Sequence, residues 1–347
     1  MRRTGLEVWQ ALPQPFLASE AMAAGRTFDQ LRGACDRGEL TKIAPSLYAV
    51  TDSWRPLGHA DSHRALCRAA AASLTDVTLS HLSAAVVLGL PHPVGPLGKV
   101  SLTALKTSRT SYPDDWRRVL QAETPAAHLT ARAGLPVTQG ARTVLDCLRQ
   151  LRLKDSLAIA DTAVREGLAS VADLKAMREF QTRWPGVQRA DRAIALVDGR
   201  RESWLESASV AAAHELGYPT PASQVWVHGL DGQLVGRVDF LWFELGVVGE
   251  ADGMAKYLGD FDDDPSPSTT GQRMLLERDR ERGLASLGFA VARWGAADLR
   301  GTAGGLARHL AKARARARPR QIRCLWRQDL GDPLREWAWP PPITRGR

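Results

Sequence analysis

Cysteine is scarce and scattered: Cys35, Cys67, Cys147 and Cys324 are the four in 347 residues, and no two fall at the short spacing that a structural zinc site needs. Zinc and a disulfide framework are both set aside on that ground. Long apolar runs are missing too. No stretch approaches the ~18 residues of a membrane-spanning helix, and Met1-Arg2-Arg3-Thr4-Gly5 leads into a mixed polar helix rather than an apolar leader. The expectation is a cytoplasmic protein without a membrane partner. No internal repeat is visible.

Positive charge, by contrast, is plentiful. Lys and Arg number 46 against 38 Asp and Glu, giving a net charge of +8 and a pI near 9.7. Such a balance favours polyanionic partners, because each cation near a phosphate releases a counterion. The excess is almost all arginine, which is also the basic residue that a GC-rich coding sequence favours, so charge alone does not select DNA. An apolar fraction of 44% is ample for packed cores, and the length exceeds what one core usually serves, so two or three domains are expected.

Hydrophobic periodicity and turn signals divide the chain into four stretches, with an α/β (α+β overall) fold class. Residues 1–57 read as a winged helix-turn-helix. Phe16, Leu17 and Met22 fit one short helix; Thr27 caps a second whose apolar positions Phe28, Leu31 and Ala34 follow the helical period; Gly38 ends it. Leu40 to Val50, folded about Ala44-Pro45-Ser46, supply a two-stranded wing. Residues 58–186 form a mixed α/β middle region, with helices at His59 to Ser73 and Ser80 to Leu88. Strands follow at Lys99 to Leu105, Arg118 to Glu123 and Leu135 to Thr138, then two more helices up to Gly167, with Arg183-Trp184-Pro185-Gly186 as a boundary. Residues 187–323 hold strands at Gln224 to His228, Gly236 to Trp242 and Val247 to Ala251, the first two joined by the Asp231-Gly232 turn. A helix from Arg273 to Leu287, a strand from Phe289 to Arg293 and a helix from Asp298 to about Arg318 complete this α/β core. Residues 324–347 are a Trp- and Pro-rich tail, expected to dock on its own domain.

The chemistry concentrates in the third stretch. Glu250 and Asp252, two apart on one strand, share a face, and the short Glu244-Leu245-Gly246 turn lays that strand beside the one carrying Asp239. Three carboxylates thus converge. A hard cation such as Mg²⁺, bound through carboxylates and water, would relieve their mutual repulsion. Lys256 lies just beyond, and Glu202 and Glu206, four apart, could reach the same pocket from a helix face.

Arg200 to Lys256 resembles the PD-(D/E)XK nuclease superfamily, and most of all its branch similar to the very-short-patch-repair endonuclease. The matching residues are Glu206-Ser207, Val238-Asp239-Phe240 and Glu250-Ala251-Asp252-Gly253 followed by Lys256-Tyr257, with Glu277, Arg280, Leu287-Gly288 and Arg293-Trp294 further on. The resemblance implies a restriction-endonuclease-like core with Mg²⁺ or Mn²⁺ on Asp239 and Glu250, Asp252 completing the shell. Glu206 would hold an outer-shell water or a second metal, and Lys256 would neutralise charge on the phosphorane. One departure stands out: Asp252 occupies the place of the superfamily's catalytic lysine, so lysine-assisted water activation falls to Lys256 or is lost.

The amino-terminal region resembles AbiEi-family antitoxins of type IV toxin-antitoxin systems. Phe28 to Val50 carries the match, with Gly38-Glu39-Leu40 and Leu47-Tyr48-Ala49, and the middle region adds Ser80-His81-Leu82-Ser83-Ala84-Ala85, Gly89-Leu90-Pro91 and Ala141 to Asp146. That likeness implies a promoter-binding autorepressor partnered by a nucleotidyltransferase-like toxin. Physically, the helix after Thr27 suits the major groove, with Arg26, Arg32 and Arg37 available to phosphates or base edges and Lys42 on the wing.

Other constellations read as structural. Ser80, His81 and Asp146 lack the strained turn of a hydrolase nucleophile, and Ser80 reads as a helix cap. Asp260, Asp262, Asp263 and Asp264 fail the calcium-loop pattern at Pro265 and Gly271. The acid-free stretch from Arg308 to Arg323 suits a solvated face and a phosphate track equally well. Two functions follow as expectations: a metal-dependent DNA endonuclease guided by a winged helix, serving phage defence or DNA repair, or an antitoxin and autorepressor whose nuclease-like domain does not cut. A DNA-binding structural protein without metal is the third.

Overall fold

The computed structural model describes residues 5–106, 115–251 and 267–338, with side chains from residue 275 in the last segment. Among these residues the chain is mixed α and β with three sheets, of three, five and six strands. It divides into two compact units that interleave in sequence: Met1–Leu151 with Glu166–Ile194, and Arg152–Arg165 with Ala195–Arg347.

In the first unit, the helix Phe28–Asp36 starts on a reciprocal cap. Thr27 Oγ1 accepts from the Gln30 amide at 3.2 Å, and Gln30 Oε1 accepts from the Thr27 amide at 3.0 Å. Leu31 and Ala34 face the core as their spacing requires, but Phe28 is 61% exposed. Position N1 directly after the cap lies outside the buried stripe, so the expected triad of apolar positions is a pair. Phe16 and Leu17 also depart from expectation. They form a short strand, Phe16 opposite Tyr48 and Leu17 opposite Leu47, and the following helix runs only from Ala18 to Ala23. Pairing beside the hairpin strand gives their backbone groups ladder partners. The strands Leu40–Ala44 and Leu47–Val50 complete this sheet.

A five-stranded sheet follows, in the order Arg117–Gln121, Val100–Ala104, Val77–Leu79, Leu135–Thr138, Leu129–Arg132. Helices His59–Ser73 and His81–Leu88 pack on it, and Leu79, Leu102, Val137 and Cys67 share one core with Ala44 and Leu47 of the amino-terminal hairpin. Helices Gly140–Gln150, Val171–Phe180 and Val187–Ile194 close the unit, so the Trp184-Pro185-Gly186 turn lies inside it.

The second unit is built on the six-stranded sheet, in the order Ala290–Trp294, Val247–Ala251, Leu234–Trp242, Ala222–His228, Arg323–Arg327, Arg335–Ala338. The first two strands run parallel; the other neighbours are antiparallel. One apolar layer joins Phe240, Trp242, Val247 and Trp294 to the helices Leu153–Arg165, Trp204–Glu215 and Gly304–Arg316. A second joins Val225, Val227, Val238 and Val248 to Leu284 of the helix Pro267–Ser286. The helix expected from Asp298 breaks in two, a 3-10 turn Ala296–Leu299 and the helix Gly304–Arg316, because Ala303 holds a left-handed backbone (φ 56°) between them. The expected tail is sheet up to Ala338, with Trp337 stacked on Phe243 at 4.6 Å. Trp339 and Pro340-Pro341-Pro342 lie outside the described residues.

Candidate metal centre

The site forms where two strands part. Strands Leu234–Trp242 and Val247–Ala251 pair from Trp242↔Val247 to Phe240↔Gly249, and the pairing ends there. The next step of that register sets Asp239 opposite Glu250. In place of a backbone carbonyl, the Asp239 carboxylate takes the Ala251 amide, Oδ2 to N at 2.9 Å. A side chain has thus entered the fork as a ladder partner. Packing shows the same disturbance, since Phe240 and Trp242 face one layer while Val238 faces the other, although a regular strand would put all three on one side. On the neighbouring strand, Gln224 holds φ 52°, a left-handed conformation costly for a non-glycine residue inside a sheet.

Gln224 uses that turn of backbone to tie the site together. Its amide nitrogen donates to Glu206 Oε2 at 2.7 Å and to Asp239 Oδ1 at 3.4 Å. Glu206 sits in the first turn of the helix Trp204–Glu215, where Ser203 caps the Glu206 amide at 3.1 Å. Its carboxylate accepts from the Ser203 hydroxyl at 2.9 Å and from the Glu202 amide at 3.0 Å. Glu202 precedes the cap, so it does not share the helix face with Glu206 as its spacing suggested; it pairs instead with Arg237.

Glu250 is 8% exposed, and its Oε1 accepts from Arg280 Nη1 at 2.7 Å. Burial, with Asp239 alongside, pushes its carboxyl up to about 7 against the pull of Arg280. Burial works to lower the Arg280 guanidinium, but hydrogen bonds to Glu277 and the charge of Glu250 outweigh it and hold the group above the usual arginine value. Arg280 reaches Glu250 by crossing Gly236, where a Cβ would stand 2.7 Å from Arg280 Cδ. Aromatic rings floor the fork: Phe240 stacks on Trp294 at 5.8 Å, and a Cβ on Gly249 would meet the Trp294 ring at 2.5 Å.

Asp239 is therefore set beside Glu250 and linked through Gln224 to Glu206, whereas Asp252 and Lys256 lie outside the described residues, as do Asp260 to Asp264. Among the described residues no group of three or more His, Cys, Asp or Glu side chains is arranged to hold a metal ion. Two adjacent carboxylates, one with its pKa raised by burial and by its neighbour, are still a donor set that a hard divalent cation suits. Sequence reasoning missed Gln224 and Asp161. Asp161, buried in the helix Leu153–Arg165, accepts from Arg201 and Ser207, each at 2.7 Å, and thereby anchors the start of the Glu206 helix. A charged residue amid Leu157, Ala160 and Val164 was the available signal, since a carboxylate there requires a partner.

Of the residues expected at DNA, Arg32, Arg37 and Lys42 are exposed and Arg26 is half-buried. Arg37 is committed to a two-pronged bond with Glu39, both at 2.9 Å, and Arg32 lies 3.7 Å from Asp29. Ser80 stands at its helix cap position without making the cap bond; its hydroxyl meets His81 Nδ1 at 2.9 Å.

Fold and site together define an α+β protein with a carboxylate cluster at a strand fork. No family model matches it. It is similar to the uncharacterized proteins MT2308 and Rv2248 of Mycobacterium tuberculosis, each 28% identical over 192 residues, which cover 55% of this chain and 66% of each relative's length. The crystal structure of the RV2827C protein from Mycobacterium tuberculosis is also similar, at 16% identity and a TM-score of 0.36 over 63% of this chain and 82% of that one. No helix among the described residues is long and apolar enough to cross a membrane.

Proposed function

We propose that the second unit is a divalent-metal-dependent DNA phosphodiesterase of the endonuclease type, and that the winged helix at the amino terminus brings it to DNA, in a role such as phage defence or DNA repair. The observation that carries this reading is the Asp239 carboxylate seated in the strand fork beside Glu250, whose carboxyl is pushed up to about 7. Such crowding of anions costs stability unless a cation resolves it. Asp239 and Glu250 would hold Mg²⁺ or Mn²⁺, with Asp252 as the third ligand. When bound, the ion supplies Lewis acidity to the scissile phosphate and acidifies a water. Gln224 and Glu206 keep Asp239 oriented, and Lys256 balances charge on the phosphate oxygens. Arg32, Lys42 and the exposed arginines of the helix Gly304–Arg316 would track the DNA backbone.

The test is cleavage of supercoiled and linear DNA with Mg²⁺ or Mn²⁺, beside Asp239→Ala and Glu250→Ala. Metal-dependent nicking by the wild type should fall by about a hundredfold or more in both variants. Cutting that survives both substitutions places the chemistry elsewhere.

A second reading is favoured by one contact. Arg280 already neutralises Glu250 at 2.7 Å, as a site that has ceased to use metal would arrange. On that reading the protein is an AbiEi-type antitoxin and transcriptional autorepressor with a nucleotidyltransferase-like toxin as partner. Promoter binding without any cutting, insensitive to chelator, is its signature.

A further inference from the structure

In the first unit, two guanidinium groups share one carboxylate in the interior. Arg142 Nε donates to Asp146 Oδ2 at 2.8 Å and Arg149 Nη2 to Oδ1 at 2.7 Å, with Gln181 adding a third bond at 3.1 Å. Arg142 and Asp146 are fully buried, and Arg149 is 7% exposed. The cluster therefore holds one positive charge in excess, away from water. His81 adds none near neutral pH, because burial pushes its imidazole down to about 4. Trp184 spreads part of the charge, its ring lying 4.6 Å from the Arg142 guanidinium and 5.1 Å from that of Arg149. Even so, Nη2 of Arg142 and Nε of Arg149 are buried without a hydrogen-bond acceptor among the described residues. Unspent donors on a buried excess cation are costly; Arg149 Nη1 already donates to Pro185 O at 2.8 Å and Nη2 to Asp146, so its Nε is the donor that an anion would complement.

Arg149 also lines a cavity of about 570 Å³, together with His81, Gln150, Trp184 and, at its exposed rim, Arg189 and Glu123. The rim charges offset one another, so the excess in the wall is the interior one. That volume is more than a bare inorganic anion fills and lies in the range of small-molecule sites. We propose that this cavity binds a small organic anion through a phosphate or carboxylate group held by Arg149, with Arg189 closing on it from the rim. A guanidinium N–H donates to either group, and the indole of Trp184 offers the organic body a flat apolar wall.

Calorimetric titration of the full chain with adenosine monophosphate and with succinate, at constant ionic strength set by chloride, tests the site. Saturable one-site binding of either is expected, weakened about tenfold by Arg189→Ala, abolished by Arg149→Met and unchanged by Arg282→Ala, an exposed residue of the second unit. Whichever probe binds more tightly identifies the anionic group. Arg189 is exposed, so its variant remains decisive should Arg149→Met fail to fold. Neither probe binding, or binding that Arg189→Ala leaves intact, overturns the proposal.

Discussion

Glu250 is where a single side chain sets measurable behaviour. Its folded-state carboxyl, raised from 4.5 to about 7, binds its proton more tightly than the unfolded chain does. The stability this contributes is fully present below about pH 4.5 and lost as pH rises through about 7, a swing on the order of 3 kcal/mol at most. Glu250→Gln removes the titration and leaves Arg280 its bonds to Glu277 at 2.8 and 2.9 Å. In chelator, the variant should therefore melt above the wild type at about pH 8, and the difference should close toward pH 5. A variant that melts lower at the alkaline end would mean that the Arg280 ion pair, not burial, governs this carboxyl. The identity of Glu250 as a candidate was legible from its two-residue spacing to Asp252. Its pairing with Arg280 was not, because thirty residues separate them and only the crossing over Gly236 brings them together.

Strands and helices were readable to differing degrees. The strand Val247–Ala251 and the helix His59–Ser73 fall where their apolar patterns put them, since local period and turn residues fix both. The strands of the tail were not foreseen. Trp326, Trp337 and the charged residues between them carry no clear alternation, and what makes them strands is the open edge of Ala222–His228, which Arg323–Arg327 covers through Leu325↔His228 and Arg327↔Trp226. Ending the chain after Gln321 should strip that edge and the two rings packed on Phe243, lowering stability by about 3 kcal/mol or more and promoting association. Chemical denaturation and light scattering would measure both, and an unaltered midpoint would show the two strands to be ornamental.

The largest consequence of the fold is that its two units interleave. The helix Leu153–Arg165, which follows the first unit in sequence, belongs with the second, because Asp161 binds Arg201, Ser207 and the Asp198 amide and Leu157 enters the core of the six-stranded sheet. A fragment of residues 195–347 therefore lacks a wall of its own core. It should show little cooperative unfolding, and adding residues 152–165 as a separate peptide should restore a melting transition, which circular dichroism would follow. A fragment that melts sharply without the peptide would count against this.

By itself the sequence determined most local elements and the proximity of Asp239 to Glu250, because these depend on periods of two and 3.6 and on short turns. Tertiary structure alone decided the rest. It set Gln224 in a left-handed conformation to bridge Glu206 and Asp239, placed Arg280 on Glu250, and buried two arginines on the single carboxylate of Asp146. The Glu206–Gln224 and Arg280–Glu250 contacts join residues on separate elements; Gln224 and Asp239 share a hairpin, but only the left-handed turn of Gln224 lets it bridge to Glu206, and the Arg142–Asp146–Arg149 cluster lies on one helix whose burial the period suggests but whose charge excess and adjoining cavity only the packed unit creates. Buried charge is settled by whatever the whole fold brings within hydrogen-bond reach, and no local pattern encodes that.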